Sequence, residues 1–277
     1  MKVGPAKRIT HDAAFCMKKN LCWTPNGEKI VFAREVGIEY CIYSVNADGT
    51  GLKQISESTP DKSPKYEPDC SPDGTRIVYL FYTYAGTDGF LNIQTMDMDG
   101  KNVKRIIPTP PQFNMHPAWS PDGKSIAFVS TRAGNPEIYL CDPDGNNIRR
   151  ITNDPAMDEH PTWSPDSKQI AFNSNRDGNW EIYSMDVDGK NVRRLTNHPS
   201  SDTYPKWSPD GKHIAFMTFR DGNDEIYVMD VDGKDPANIS NHPSWDRFPA
   251  WRRDGKALAW VSYRENMPEI YVAEIEF

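Results

Sequence analysis

Residues 117–128 read Pro-Ala-Trp-Ser-Pro-Asp-Gly-Lys-Ser-Ile-Ala-Phe, and variants of this segment recur along the chain. In the four most similar copies the tryptophans are 44 residues apart: Trp119, Trp163, Trp207 and Trp251. Two looser copies precede them, one at Trp23 and one with Cys70 in the tryptophan position. A repeat of about 20 to 50 residues is typical of solenoids and propellers. The chain therefore contains six copies of one structural unit.

Each copy has the pattern of a four-stranded meander. A Pro-Asp-Gly turn follows the tryptophan segment, and a continuous apolar run such as residues 126–129 comes next. An Asp-Gly-Asn type turn, a Glu-Ile-Tyr strand, an Asp-x-Asp-Gly turn and a short Arg-Arg-Leu-Thr strand complete the unit. Asp-Gly between apolar runs is a strong hairpin signal because these residues accept a positive φ. No apolar period of 3.6 residues persists, so we expect almost no helix.

The last copy ends at Phe277 without its fourth strand, and the N-terminus supplies a candidate for it. Residues 7–10, Lys-Arg-Ile-Thr, match residues 149–152, Arg-Arg-Ile-Thr. Pairing of this segment onto the last blade would remove the open sheet edges. The sequence thus predicts an all-β fold, a single six-bladed β-propeller domain over residues 1–277 with four-stranded antiparallel blades. The expected blades are residues 16–56, 61–107, 112–152, 157–196, 201–240, and 245–277 together with 6–10.

Composition narrows the function classes. The net charge of -7 argues against a nucleic acid ligand, because binding to phosphates normally needs a basic surface. Five cysteines at irregular spacing, without a C-x-x-C pair, are expected to be core residues and not a disulfide framework or a zinc site. No apolar run has the length of a signal peptide or a membrane span.

The repeats resemble a known family. Pro-x-Trp-Ser-Pro-Asp-Gly-Lys, Arg-Asp-Gly-Asn-x-Glu-Ile-Tyr and Asp-Val-Asp-Gly-Lys-Asn-Val-Arg-Arg-Leu-Thr look like the propeller repeats of the TolB family, most strongly over residues 112–277. The resemblance covers the propeller without the N-terminal domain of TolB, and it implies a periplasmic or other extracytoplasmic location. A cytoplasmic location stays open because the sequence shows no signal peptide. Similar repeats occur in oligogalacturonate lyases and beside the hydrolase domain of prolyl oligopeptidase-like enzymes, so the fold does not fix the function.

Catalytic motifs are missing from the sequence. It has no Gly-x-Ser-x-Gly elbow and no His-Glu-x-x-His zinc motif. The Asp-x-Asp-Gly turns lack the further ligands of an EF-hand loop, so we interpret them as hairpin turns. We therefore predict no catalytic residues, and the sequence favours a protein that is not an enzyme.

Two sets of equivalent positions should converge where the innermost strand of each blade begins. Three residues before the tryptophan position the blades carry Asn20, Glu67, His116, His160, Tyr204 and Phe248. Five residues before it they carry Lys18, Lys65, Asn114, Asp158, Asp202 and Asp246. Glu67, His116 and His160 come from successive blades and have the ligand chemistry of a divalent transition metal. A metal ion in the channel is one interpretation, and simple packing of these side chains is the other.

The second set is basic in the first two blades and acidic in the last three. This polarity would orient a charged ligand or partner, whereas a solvated surface is the alternative interpretation. Trp180 and Trp245 lie in connections on the same face and are candidate exposed aromatic anchors. We predict a binding surface at the channel mouth that comprises the second set together with Tyr204, Trp180, Trp245 and Arg247.

A further pattern separates the blades. An arginine lies 13 residues after the tryptophan in the last four blades and a glutamate lies 18 after it, and the first two blades lack both. Their joint presence and joint loss predict that the two side chains pair across a hairpin, and general divergence of the first two blades is the alternative explanation.

The leading functional hypothesis is a monomeric, non-catalytic scaffold that binds a protein or peptide through its channel-mouth face. Variable loops on a rigid framework usually carry function, and this face is more varied than the opposite one. The alternative is a metal-dependent lyase that acts on uronate-containing oligosaccharides, with Glu67, His116 and His160 around the ion. A carbohydrate ligand belongs to this alternative, and neither hypothesis includes a nucleic acid or a membrane span.

Overall fold

Each of the six sequence units folds into an antiparallel sheet in the computed structural model, which describes residues 1–85, 88–107 and 113–277. The expected first residue of the third unit, Gln112, lies outside these residues. Innermost strands of successive sheets contact each other, and the last contacts the first, so the sheets close into a ring. The predicted six-bladed propeller is confirmed.

The strands follow the order of the chain within every blade. Blade 1 consists of β3 (Lys18–Trp23), β4 (Lys29–Val36), β5 (Glu39–Asn46) and β6 (Lys53–Gln54), and blade 2 of β7 (Lys65–Cys70), β8 (Arg76–Ala85), β9 (Asp88–Asp97) and β10 (Lys104–Arg105). Blade 3 consists of β11 (Asn114–Trp119), β12 (Ile126–Ser130), β13 (Glu137–Cys141) and β14 (Arg149–Arg150), and blade 4 of β15 (Asp158–Trp163), β16 (Gln169–Ser174), β17 (Glu181–Asp186) and β18 (Arg193–Arg194). Blade 5 consists of β19 (Asp202–Trp207), β20 (His213–Thr218), β21 (Glu225–Asp230) and β22 (Ala237–Asn238), and blade 6 of β23 (Asp246–Trp251), β24 (Ala257–Ser262) and β25 (Glu269–Glu276) with β1 (Lys2–Val3) and β2 (Lys7–Arg8). A 3₁₀ turn over Arg264–Asn266 is the one helical element in the described part of the chain.

The N-terminus completes blade 6 as predicted. Strand β2 pairs antiparallel with β25, with Arg8 opposite Tyr271, and β1 extends the same pairing. Arg8 Nη2 lies 2.9 Å from Glu269 Oε1, and the Thr10 hydroxyl also donates to this glutamate. The two ends of the chain are thus joined through backbone pairing and through a buried carboxylate.

Apolar clusters fill the space between neighbouring blades. The cluster between blades 3 and 4, for example, combines Val129 and Ile138 with Trp163 and Phe172. The Trp163 indole N–H donates to the carbonyl of Ala118 in the preceding blade, at 3.1 Å. Equivalent bonds from Trp23 and Trp251 are 3.1 Å long. The repeated tryptophan therefore closes a blade interface, which explains its strict spacing.

The arginines and glutamates of the last four blades do not form the predicted pairs. The register places Ser174, and not Arg176, opposite Glu181. Arg176 Nη2 instead lies 2.9 Å from Asp158 in the innermost strand, and Arg194 Nη2 lies 2.9 Å from Glu181. In blade 4 the two residue types therefore belong to two separate ion pairs, and in blade 3 the equivalent Arg132 faces the amide of Asn114.

No helix within the described ranges is long and apolar enough to cross a membrane. All five cysteines are buried thiols: Cys16, Cys22, Cys41, Cys70 and Cys141.

Candidate functional site

A β-bulge in every innermost strand aims one side chain into the central channel. The pairing register shifts by one residue within each of these strands. The residue three before the tryptophan position has φ between 49° and 60°, a conformation that is uncommon for residues other than glycine. These residues line one cavity: Asn20, Glu67, His116, His160, Tyr204 and Phe248. The structure thus brings the first predicted set together.

Four rings of this set follow one another around the channel. The ring centroids of His116 and His160 are 3.8 Å apart, and those of His160 and Tyr204 are 3.9 Å apart. Tyr204 meets Phe248 edge-on with a centroid distance of 5.2 Å. Blades 3 to 6 therefore present a continuous aromatic wall.

Glu67 and His116 form an ion pair at one end of this wall. His116 Nδ1 lies 2.9 Å from Glu67 Oε1, and the His116 backbone N–H donates to Oε2 at 2.8 Å. Burial opposes charge on both groups, but their mutual attraction outweighs it. The pKa of Glu67 is consequently lowered, and the pKa of His116 is raised.

His160 has a different environment. Burial, reinforced by the nearby charge of His116, lowers its pKa well below the ordinary value, so its imidazole is neutral. Neither ring nitrogen makes a hydrogen bond of normal geometry to another described residue, although the nearby Asn173 side chain acts against the lowering of the pKa. The nearest carboxylate oxygen, Glu159 Oε2, is 3.9 Å from Nδ1. One ligand atom from each of Glu67, His116 and His160 falls within 4.8 Å of the others. The trio is therefore geometrically able to surround a metal ion.

Two channel residues were missed by the sequence analysis. Asp69 and Lys206 directly precede the tryptophan position, and both line the cavity. Burial raises the pKa of Asp69, although the charge of Lys206 opposes this effect. Other blades have small residues at this position, namely Cys22, Ala118, Thr162 and Ala250. Two opposite charges among small residues were the signal that should have identified them.

The second predicted set is buried in the protein interior and is not exposed at the channel mouth. Its members are at most 4% exposed. Lys18 and Lys65 each lie 2.9 Å from a glutamate of the preceding blade. The other four face an arginine of their own blade: Asn114 with Arg132, Asp158 with Arg176, Asp202 with Arg220, and Asp246 with Arg264. Charged side chains can be buried here because a partner is supplied, so we leave this set out of the proposed binding surface.

Trp245 and Arg247 do reach the surface near the mouth. Trp245 is 47% exposed, and the Arg247 guanidinium lies 4.7 Å from its ring centroid. Arg247 also pairs with Asp224 in a neighbouring connection. Trp180 is half-buried, and its carbonyl accepts the backbone N–H of Asp202 at 2.8 Å. Trp245 is therefore the better anchor of the two tryptophans.

Further apolar side chains surround the mouth, and the sequence analysis did not identify them. Phe113 and Met157 are each 42% exposed and precede an innermost strand, as Trp245 does. The carbonyls of these three residues accept an N–H from the connection after the second strand of the same blade, so their positions are equivalent. We call Phe113, Met157 and Trp245 the apolar collar. Phe15, Ile38 and Phe219, in other connections of this face, are also exposed.

Blades 1 and 2 add a cation held by aromatic rings. Lys19 Nζ lies 5.1 Å from the ring centroid of Tyr40 and 5.7 Å from that of Tyr66. The two tyrosine centroids are 4.8 Å apart. The mouth thus combines apolar, aromatic and cationic groups, which is the composition of many binding surfaces.

Comparisons with known proteins agree with this architecture. The TolB beta propeller domain model matches residues 61–218, and the Tricorn protease N-terminal beta propeller domain model matches residues 181–273. The Tol-Pal system protein TolB of Thioalkalivibrio sulfidiphilus is 35% identical over 114 residues, which is 40% of this chain and 26% of that protein. The matches cover about a quarter of the length of the curated relatives.

Two solved structures extend the comparison. TolB from Acinetobacter baumannii superposes with a TM-score of 0.70 at 26% identity, covering 85% of this chain and 57% of that one. An oligogalacturonate lyase in complex with manganese superposes with a TM-score of 0.67 at 17% identity, covering 99% of this chain and 93% of that one. At this low identity the second likeness concerns the fold alone.

Proposed function

Since the chain belongs to the TolB beta propeller domain family, we propose that it is a binding module that holds a protein or peptide segment against its channel-mouth face. The observation that carries the proposal is the apolar collar around an aromatic and polar channel. Exposed aromatic and methionine side chains are enriched in protein interfaces, where a few large anchors provide most of the binding energy. The matched curated relative is named as a Tol-Pal system protein, which is consistent with a role in a protein assembly.

The channel supplies specificity in this proposal. A peptide side chain that enters the mouth meets Tyr204 and Phe248 on one side and the charged Glu67 and His116 on the other. Lys19 offers positive charge near the mouth, whereas the charge of Arg247 is paired with Asp224. A segment with an acidic residue beside an apolar one therefore suits the surface best. We further infer a monomer in an extracytoplasmic compartment, which light scattering and cell fractionation would test.

The experiment selects peptides from a phage-displayed library on the immobilised full chain and measures their affinity by calorimetry. Trp245→Ala and Phe113→Ala should each weaken a selected peptide by about 10-fold or more, because an anchor side chain is lost. The matched controls Val103→Ala and Val192→Ala remove exposed apolar side chains in the Asp-x-Asp-Gly turns, and they should leave the affinity unchanged. The proposal would be overturned if the control variants weakened the affinity of the selected peptides and the collar variants did not.

A second candidate function is favoured by the cavity chemistry. Glu67, His116 and His160 share the cavity with the ammonium group of Lys206, and a uronate carboxylate would pair with that cation. A divalent ion held by the trio would supply further neutralisation of the carboxylate and acidify the neighbouring carbon. β-Elimination would then transfer the C5 proton to water or another base, form a C4–C5 double bond from the C5–H electron pair and break the C4–O bond. The departing oxygen would take up a proton and become a hydroxyl group of the released sugar. Lys18 and Lys65 do not supply this charge, because both are buried and pair with glutamates in the interior.

The lyase candidate has a direct test. Oligogalacturonate is incubated with the chain and manganese while ultraviolet absorbance reports the unsaturated product. The candidate requires an absorbance increase that Lys206→Met abolishes, and a flat trace rejects it. This result is separate from the peptide measurement, so the two functions are distinguishable.

A further inference from the structure

We propose that Glu67, His116 and His160 form a binding site for a divalent transition metal ion of the zinc class. The three residues occupy the same position in successive blades, and the bulge in each strand turns their side chains toward one point. A carboxylate and two imidazoles are a ligand set of zinc sites with an open coordination position. The proposal does not depend on whether the protein is a lyase.

The hydrogen bonds around the trio fit this assignment. Glu67 Oε2 accepts the His116 backbone N–H at 2.8 Å, which orients the carboxylate so that Oε1 lies 2.9 Å from His116 Nδ1. Neither ring nitrogen of His160 makes a hydrogen bond of normal geometry to a described residue, although the Asn173 side chain lies near enough to act on the ring. Asn173 offers a partner to one ring nitrogen, and an ion would supply a partner to the other.

A further carboxylate is placed to support the ligands. Glu159 Oε2 lies 3.9 Å from His160 Nδ1, so a small rotation lets it accept the Nδ1 proton while Nε2 faces the ion. Metal-bound histidines usually donate their second ring N–H in this way. Three protein ligands leave at least one position for water or for a ligand atom at the channel mouth.

The test uses metal ions alone. Calorimetric titration of the chelator-treated full chain with zinc should give one strong site, and cobalt should produce visible absorption bands of a bound ion. His160→Phe should weaken zinc binding by about 100-fold or more, since a ligand is lost. Phe248 occupies the equivalent position in blade 6 with φ of 60°, so the fold accepts this change. Glu67→Gln, which keeps the side-chain shape, should also weaken binding.

The matched control is His198→Ala. His198 lies in an Asn-His-Pro turn and accepts the Ser200 backbone N–H, so its loss tests adventitious binding by histidine. Zinc affinity should not change in this variant. Equal binding by the wild-type and His160→Phe chains, or no site in the wild-type chain, overturns the proposal.

A separate observation concerns the boundary between blades 1 and 2. The sulfur atoms of Cys22 and Cys70 are 3.0 Å apart. Cys70 occupies the position that a tryptophan fills in the other five blades, and Cys22 precedes the tryptophan position of the adjacent blade. The replacement of the tryptophan by Cys70 thus lies against Cys22 at one blade interface, and both cysteines line the cavity on the side of the tryptophan positions.

From this juxtaposition we infer that Cys22 and Cys70 form an interblade disulfide in an oxidising environment. With glutathione disulfide as oxidant, the two protein thiols are oxidised, one sulfur–sulfur bond forms between them, and the glutathione disulfide is reduced to two thiols. The bond would join two blades where the tryptophan contact is missing. The remaining cysteines are placed differently, and Cys16 Sγ, for example, faces the Glu35 carbonyl at 3.1 Å.

Thiol titration and mass spectrometry test the inference. After exposure of the native chain to glutathione disulfide, the thiols titrated in denaturant should fall from five to three. A peptide pair linked through Cys22 and Cys70 should appear. Cys22→Ser and Cys70→Ser should each prevent the loss, whereas Cys16→Ser should still lose two thiols. Retention of every thiol, or linkage between other cysteines, overturns it.

Discussion

The first two blades and the last three bury charge at the same strand position with opposite sign. In blades 1 and 2 the position holds Lys18 and Lys65, and each cation reaches a glutamate of the preceding blade at 2.9 Å. In blades 4 to 6 it holds an aspartate that faces an arginine of the same blade: Asp158, Asp202 and Asp246. One group of blades pairs its charges across a boundary, and the other pairs them internally.

The carboxyl groups respond differently in the two arrangements. Burial would raise the pKa of Glu39 and Glu269, but hydrogen bonds, among them those from Lys65 and Lys18, outweigh it and lower both pKa values. Burial prevails for the aspartates of blades 4 to 6, and their pKa values are raised despite the arginines. The departure of blades 1 and 2 from the repeat at this position is thus a change in how buried charges are paired.

Lys18→Met should produce the largest loss of stability. Lys18 Nζ contacts Asp12 at 2.5 Å and Glu269 at 2.9 Å where the ring closes, so one substitution removes the buried cation that both carboxylates share. Asp12 then keeps Arg34 as its cation, Glu269 keeps Arg8, and both arginines are more exposed than Lys18. We expect a loss of about 4 kcal/mol in the free energy of unfolding, measured by urea denaturation.

Lys19→Met is the control for this change, because its ammonium group lies over tyrosine rings and not beside a buried carboxylate. Its loss should stay below about 1 kcal/mol. Equal effects of the two substitutions would show that the cross-boundary pairing does not carry the difference between the blades.

Arg220→Met and Arg132→Met compare a charged pair with a neutral one inside similar blades. Both guanidinium groups lie over two aromatic rings, but Arg220 also faces Asp202 at 2.9 Å, whereas Arg132 faces Asn114 at 3.2 Å. Arg220→Met leaves a buried carboxylate without its cation and should lower the free energy of unfolding by about 3 kcal/mol. Arg132→Met removes a hydrogen-bond partner from an amide and should lower it by about 1 kcal/mol. Urea denaturation of both variants measures the difference. If the two losses agree, the aspartate is neutral in the folded protein and the ion pair contributes nothing.

The fold was predictable because repetition supplies what a single segment cannot. Six tryptophan-like positions with the same turns specify six equivalent sheets, and the match of residues 7–10 to residues 149–152 identifies the closing strand. Equivalence also predicts that the same position of every blade lies at the same distance from the axis. It indicated two candidate sets, and only the set three residues before the tryptophan position lines the channel.

Side-chain direction and partners were not predictable in the same way. A lysine at the start of a strand looks the same in sequence whether it is solvated or buried. Lys18 is buried because Glu269, which is distant in sequence, lies beside it in the fold. Glycine and asparagine are the usual sequence signals of a positive φ, and His116 and His160 adopt a positive φ without being either residue. The contact between Cys22 and Cys70 likewise depends on a blade boundary that pairs positions 48 residues apart.

The smallest effect on stability should come from His160→Phe. This substitution gives blade 4 the residue that blade 6 has at the equivalent position, and it keeps a ring between His116 and Tyr204. The folded-state pKa of His160 is below its unfolded value, so the unfolded chain binds more protons at mildly acidic pH. Stability of the wild-type chain therefore falls as the pH drops below about 6.5, by at most about 1.4 kcal/mol per pH unit from this group. The raised pKa of His116 acts in the opposite direction, and it is present in both proteins.

Urea denaturation of the wild-type chain and the variant at several pH values between about 7 and 5 measures this dependence. The free energy of unfolding should fall less with pH in the variant. Parallel profiles would mean that His160 takes up its proton without cost in the folded channel.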